Sequence, residues 1–563
     1  MVAVSGSEIS IEKSEARGQH GMVATKHPAA SAVGAEVLAA GGSAADAAVA
    51  SAFAVGVVEP WNSGVGGGGY AVVSSGEATE VVGFPMRSGT GATAEKYPLD
   101  GRENVSGFLW SGVQGDANLH GHRAMAVPGA VAGLALLHKR HGEMPWNELV
   151  QPAVALARQG FELSWYDTAF MATMATAAQR HPELQKRYYP GGAPPTSDHF
   201  DVVRLTQPEL GNSLEAIALD GPESFYVGDV AAVVASDSIA NDGVIERADL
   251  AEYRAQVGTP LHTTYRQATV LLPGPGCAGP TTAETLNIYE RFDVASHDHN
   301  SAERLHTFLG AARLAYADRF RFMTDPARAE VPWDSLVSKA YAGGRYDLIG
   351  PDVLTHGVNP GDAWAYQDEA REGQRVKGET STTHLCTADG RGGLVSLTNT
   401  LGGGWGSEVI PGNTGIVWNN GMYWFDPVPG RLTSVAPRRF GLNNMTPAIV
   451  FIPDGRAFAV GASGGRRITN CVAQLVGNIV DHSLGAQEAV SAPRVDASTP
   501  WVTVDGRFGD ETISDLRRRG WDVHVPSLPG RSAFASPTLI LRDADGGLGG
   551  GVDVFHTADA QGV

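Results

Sequence analysis

The chain is poor in cysteine, in positive charge and in long apolar runs. Its three cysteines, Cys277, Cys386 and Cys471, are too few and too scattered for a disulfide framework or a zinc site, so a reducing compartment is the natural reading. Basic residues are outnumbered 42 to 61, for a net charge of −19. That balance argues against nucleic acid or an anionic membrane as partner. No window approaches the roughly 18 apolar residues of a membrane span. Met1-Val2-Ala3-Val4-Ser5-Gly6-Ser7-Glu8 lacks the basic stretch and apolar run of a signal peptide, so the protein is read as cytoplasmic. His297-Asp298-His299 and His120-Gly121-His122 stand without further ligands, so no metal is assigned. What is present is ordinary for a globular protein: 563 residues, 43% hydrophobic and 18% charged, enough for a large core.

The coarse organisation follows from periodicity. Residues 1–20 are polar and read as loose. Ser43 to Val57 is Ala-rich, opens on a capping Ser and ends before Pro60, which predicts a buried helix. Gly64, Gly66 and Gly69 spell a dinucleotide-binding glycine pattern, but here a helix precedes the run and the strand Tyr70-Ala71-Val72-Val73 follows it. That order is the reverse of a nucleotide site, so the glycines are assigned to close backbone packing and no cofactor is expected. Residues 125–180 and 300–345 are helix-rich, with Leu305, Phe308, Leu309, Ala312 and Tyr316 on one face. Residues 355–381 have the composition of an exposed linker. Ile468, Val472, Leu475, Val476, Ile479 and Val480 keep helical spacing, and Gly464-Gly465 stands just before that helix.

The chemistry concentrates where the linker ends. Thr382 to Thr387 predicts a strand, Asp389-Gly390-Arg391-Gly392-Gly393 a turn, and Leu394 to Leu401 a second strand. A hairpin centred on Arg391 puts Thr382 opposite Thr400, with Cβ atoms about 5 Å apart. A Thr hydroxyl becomes a useful nucleophile when a second hydroxyl orients it and its own α-amino group serves as base after the chain is cut before it. His384, two residues on, shares the face of Thr382 and reads as a packed structural residue.

Several ordered motifs carry a resemblance to the γ-glutamyltransferases, a family of N-terminal-nucleophile (Ntn) hydrolases. They are Ser381-Thr382-Thr383-His384, Thr398-Asn399-Thr400-Leu401, Trp418-Asn419-Asn420 and Gly461-Ala462-Ser463-Gly464-Gly465. Earlier in the chain come Gly21-Met22-Val23-Ala24, Gly41-Gly42-Ser43-Ala44-Ala45-Asp46-Ala47, Ser63-Gly64-Val65-Gly66-Gly67-Gly68-Gly69, Ala126-Val127-Pro128-Gly129 and Leu314-Ala315-Tyr316-Ala317-Asp318-Arg319. The resemblance spans roughly residues 20 to 556. It implies an α+β fold, the αββα four-layer sandwich, built from two fragments of one precursor. Cleavage between Ser381 and Thr382 would give a large subunit, 1–381, and a small subunit, 382–563, that form a heterodimer. Thr382 would be the nucleophile, Thr400 its orienting partner, and the Gly464-Gly465 amides the oxyanion donors.

The resemblance weakens at the substrate. Family members that grip a γ-glutamyl group do so with an Arg in an early Phe-Arg-Glu segment. Here the segment reads Phe84-Pro85-Met86-Arg87, with Arg87 a substitute only if the backbone shifts. The family's Asn two residues after the second Thr is Gly402. The Gln and Asp after the Asn-Asn pair are Gly421 and Trp424, and the Ser-Ser pair is Asn443-Asn444. Trp405, Tyr423, Trp424 and Phe425, with Asn443, Asn444, Arg466 and Arg467, are expected around the pocket, and Arg87, Trp424, Asn443, Asn444 and Arg466 are taken as substrate-binding. A desolvated α-ammonium needs an acidic or amide partner. The expected substrate is therefore a small-molecule acyl compound, with an aromatic or apolar part or a non-amino carboxylate, hydrolysed by an acylase-like enzyme. Three alternatives stay open: a C–C bond hydrolase of a lincosamide- or pyrrolobenzodiazepine-type pathway, a genuine γ-glutamyl hydrolase or transferase, and an unprocessed binding relative.

Overall fold

The computed structural model describes residues 11–563 except 76–77, 104–107, 109, 198–201, 353–357, 367–380 and 527–532. Most of the expected linker, and residues 1–10 of the expected loose segment, lie outside the described residues. Part of that segment is ordered: Ala16–Gly18 is a strand paired with Leu548–Val552. Its residues satisfy their backbone on an existing sheet edge, which a reading from polarity alone does not register.

Two seven-stranded sheets form the centre. One runs, in spatial order, Asp559–Gly562, Gly21–Thr25, Ser381–Asp389, Leu394–Gly402, Gly68–Ser74, Thr79–Phe84, Gln256–Gly258. The other runs Ala16–Gly18, Leu548–Val552, Ser536–Arg542, Ala457–Ser463, Ala448–Phe451, Ala268–Leu272, Leu261–Tyr265. All neighbouring pairs in both are antiparallel. The sheets pack face to face, with Ser381–Asp389 and Leu394–Gly402 against Ala457–Ser463. Helices Pro28–Ala39, Ala44–Val58 and Ala130–His141 cover the first sheet, and Gly279–Tyr289 and Arg467–Val480 the second, with Ala302–Phe322 packed on Gly279–Tyr289. The result is the αββα sandwich. Strands buried on both faces explain why Leu394–Gly402 is buried at every residue although its sequence alternates polar and apolar.

The Ala-rich helix spans Ala44–Val58 and starts from a capping box. The Ser43 hydroxyl accepts from the Asp46 N–H at 3.1 Å, and the Asp46 carboxylate accepts from the Ser43 N–H at 2.9 Å. Two orphan donors are met at once, which suits a helix with almost no exposed turn. The glycine run packs as expected. A Cβ on Gly69 would sit 2.0 Å from the Thr398 carbonyl oxygen, and one on Gly67 2.3 Å from that of Thr400. No helix among the described residues is long and apolar enough to cross a membrane.

Candidate active site

The hairpin centres on Arg391. Thr383 pairs with Asn399, His384 with Thr398 and Leu385 with Leu397, all symmetric about that residue. The symmetry breaks at the open end, where Ser381 pairs with Gly402 and the register shifts between Ser381 and Thr383. A bulge of this kind turns a strand and re-aims one side chain. Here it falls at Thr382, whose hydroxyl donates to the Thr400 hydroxyl at 3.3 Å. The Gly402 N–H donates to the same Thr400 oxygen at 2.9 Å, and Asn399 holds the Thr400 N–H at 3.0 Å. Both residues are almost wholly buried, 6% and 1% exposed.

A small cleft opens beside Thr382, lined by Gly402, Trp424, Asn444, Met445, Gly465 and Ile468. Gly465 follows the strand Ala457–Ser463 and stands two residues before the helix Arg467–Val480. Gly464 has φ 136° and Gly465 φ 63°, a left-handed turn that glycine adopts without strain. A Cβ on Gly464 would approach the Ala535 Cα to 2.7 Å. Sharp turns into helix N-termini leave backbone N–H groups pointing outward, where they can meet a developing oxyanion.

The structure brings together some of the expected substrate residues and separates others. Trp424 and Asn444 line the cleft. Asn443 is fully buried and structural: its amide donates to the Gly276 carbonyl at 2.8 Å and its side-chain oxygen accepts from the Met445 N–H at 3.2 Å. Arg87 is held elsewhere, its guanidinium donating to the Asp249 carbonyl at 2.9 Å and lying over the Tyr253 ring. Arg466, buried, lies over the Phe320 ring. Among the other aromatics, Trp405 packs in the core on Trp61, Tyr188 and Tyr189, and Tyr423 meets Phe108 edge-on. Those rings occupy the interior because a chain of this size must bury its large side chains somewhere, and proximity in sequence to the site does not make them walls.

Arg319 is the residue that sequence reasoning left without a role. It is fully buried, and burial pulls its guanidinium down to about 10. It donates to the Asn444 side-chain oxygen at 3.0 Å and to the Asn443 carbonyl. Its neighbour on the same helix, Tyr316, donates to the Arg466 carbonyl at the start of the glycine-led helix. The Leu314-Ala315-Tyr316-Ala317-Asp318-Arg319 motif thus ties down two walls of the cleft, and its charge in an apolar helical stripe was the available signal. Arg319 also fixes the orientation of Asn444, whose side-chain carbonyl faces the guanidinium. His384 is structural, as expected, with Nδ1 2.9 Å from the Thr398 hydroxyl and burial holding its imidazole down to about 3.

Known proteins agree with this geometry over nearly the whole chain. The family model for gamma-glutamyltranspeptidase matches residues 30–563. An acylase ACY 1 proenzyme of Pseudomonas sp. strain SE83 is 37% identical over 528 residues, covering 92% of this chain and 89% of its own. A glutathione hydrolase proenzyme of Escherichia coli strain K12 is 33% identical over 555 residues, covering 95% and 90%. Among solved structures, a cephalosporin acylase from Bacillus halodurans superposes with a TM-score of 0.86 at 26% identity, covering 100% of this chain and 99% of the other. The buried hydroxyl pair, the glycine turn and these likenesses converge: the chain belongs to the gamma-glutamyltranspeptidase family and is an Ntn-type hydrolase.

Proposed function

We propose that Thr382 is the nucleophile of a self-processing acylase that transfers the acyl group of an amide to water. The observation that carries this reading is the Thr382–Thr400 hydroxyl contact of 3.3 Å at the rim of a cleft that Gly465 also lines. In the precursor, Thr382 Oγ1 attacks the Ser381 carbonyl. The peptide C–N bond breaks as an ester forms, and water then splits the ester to leave chains 1–381 and 382–563 as a heterodimer. The freed α-amino group, with an ordinary pKa of about 8, takes the Thr382 hydroxyl proton near neutral pH. Oγ1 attacks the substrate carbonyl, the oxyanion is met by the Gly464 and Gly465 amides, and the amine leaves with the proton. Water enters the ester with the α-amine again as base. The three cysteines are buried and unpaired, which supports a cytoplasmic setting.

The cleft also supports a choice of acyl group. Among the described residues, those that line it include no carboxylate, and the Asn444 side-chain oxygen already accepts from the buried Arg319 guanidinium. A desolvated α-ammonium would find no counter-charge there and would approach an amide oxygen that a guanidinium already holds. An acyl group without that ammonium is favoured, with its apolar part against Trp424, Met445 and Ile468 and any acceptor toward Asn444. Intact mass of the purified protein beside Thr382→Ala tests the nucleophile. Two fragments, the smaller starting at Thr382, are expected from the wild type and a single chain from the variant; an uncut wild type would overturn the reading. Glutaryl and γ-glutamyl p-nitroanilides, which differ only by the α-ammonium, test the pocket. The glutaryl compound is expected to show at least a tenfold higher kcat/KM, and equal values would remove the argument from Asn444.

A further inference from the structure

The bulge that aims Thr382 also interrupts the ladder that would otherwise hold it, since the register slips between Ser381 and Thr383. Something outside the hairpin must fix the separation of the two hydroxyls. The turn after the helix Ala44–Val58 meets both strands at that point. Glu59, the C-cap of the helix and 2% exposed, accepts the Thr383 hydroxyl on Oε2 at 2.9 Å and the Asn62 amide on Oε1 at 3.2 Å. The Asn62 carbonyl accepts from the Leu401 N–H at 3.0 Å, and the Trp61 carbonyl from the Trp405 N–H at 2.9 Å. One five-residue turn therefore grips the residue after Thr382 on one strand and the residue after Thr400 on the other.

We propose that Glu59 is a positioning residue for the nucleophile, acting through Thr383 to hold Thr382 against Thr400. Glu59 touches neither hydroxyl of the pair. Its carboxyl group stands in a dry interior where a hydrogen bond is stiff and costly to lose. The proposal rests on Thr382 being the nucleophile.

Self-processing needs no added substrate and reads the geometry directly. The full chain is purified as wild type, Glu59→Gln, Glu59→Ala, Thr383→Val and the double Ala/Val variant, and conversion to fragments is timed by intact mass beside the thermal midpoint. Glu59→Ala and Thr383→Val are each expected to slow cleavage at least tenfold, and the double variant no more than the slower single one, because both remove one contact. Glu59→Gln keeps an acceptor for the Thr383 hydroxyl and is expected within about threefold of wild type. In the processed enzyme, glutaryl p-nitroanilide is expected to show a lower kcat at unchanged KM. Thr383→Val loses only a hydroxyl and keeps the test open if Glu59→Ala does not fold. Wild-type rates in a folded Thr383→Val chain would overturn the positioning role alone. Failure of the wild type to cut before Thr382 would overturn the nucleophile reading instead.

Discussion

At the scale of single residues, burial sets what each group can do. His384 sits two residues from Thr382 with the right chemistry for a base, yet it is fully buried and its imidazole is held down to about 3, first by desolvation and then by the Lys26 charge. It stays neutral in the fold, so the unfolded chain binds a proton that the folded one refuses. Its contribution is fully present above an ordinary His pKa of about 6.5 and is lost as pH falls toward 3, at about 1.4 kcal/mol per pH unit. Urea unfolding of the uncut Thr382→Ala chain at pH 6.5 and 5.0 is expected to show about 1.6 kcal/mol more acid loss than the same chain carrying His384→Gln. Equal losses would mean that the imidazole is solvated. Glu59 has the opposite sign. Burial pushes its carboxyl up to about 7, so its stabilising share is present below about 4.5 and lost as pH rises through 7. The approach of Thr382 to Thr400 and the strand position of His384 were legible because strand alternation and symmetry about one turn are local properties. The sequence could not show Glu59, whose partner Thr383 is 324 residues away, nor that Arg87 is turned to Asp249.

At the scale of elements, the glycines between residues 64 and 69 give two strands an approach that no other residue permits. Gly68–Ser74 pairs with Leu394–Gly402, and Thr400 lies opposite Gly68. The expectation of close packing was readable because the glycines sit between a helix and a strand in the wrong order for a nucleotide. What they pack against was not readable, since it is set by the register of a distant strand. Gly69→Ala would drive a methyl to 2.0 Å from the Thr398 carbonyl, so the strand bearing Thr400 must shift. The expected outcome is self-cleavage slowed at least tenfold in a chain that still folds, timed by intact mass. An unchanged rate would show that the two strands can separate without moving the hydroxyl pair.

Across the whole molecule, the proposed cut at Ser381 divides the sequence but not the sheets. In the first sheet Asp559–Gly562, Leu394–Gly402 and all of Ser381–Asp389 after its first residue fall in the small fragment, with Gly21–Thr25 of the large one between the first and the third, and Gly68–Ser74 of the large one beside the second. In the second, four small-fragment strands stand between Ala16–Gly18 on one edge and the large-fragment pair on the other. Separating the fragments would strip every one of those shared ladders and expose both cores. The processed protein is expected to run as one species in gel filtration and to divide only in denaturant. Recovery of activity after dilution from urea should depend on protein concentration for the cut form and not for uncut Thr382→Ala, followed by its fluorescence. Fragments that part under native conditions would contradict the interleaved order. The αββα architecture was expected from the ordered motifs; the weaving of two fragments through each sheet is a property of topology that no local pattern records.

Gly402 carries a consequence for how the wall beside Thr400 could change. Its φ is +99°, and a Cβ there would meet the Asn420 side-chain oxygen at 2.2 Å, while its N–H holds Thr400. An Asn at this position, as the family resemblance implies for γ-glutamyl enzymes, would collide with Asn420 and loosen the second threonine together. A change of residue at this point is therefore a change of main chain, and any side chain larger than glycine requires the loop after Thr400 to be redrawn first.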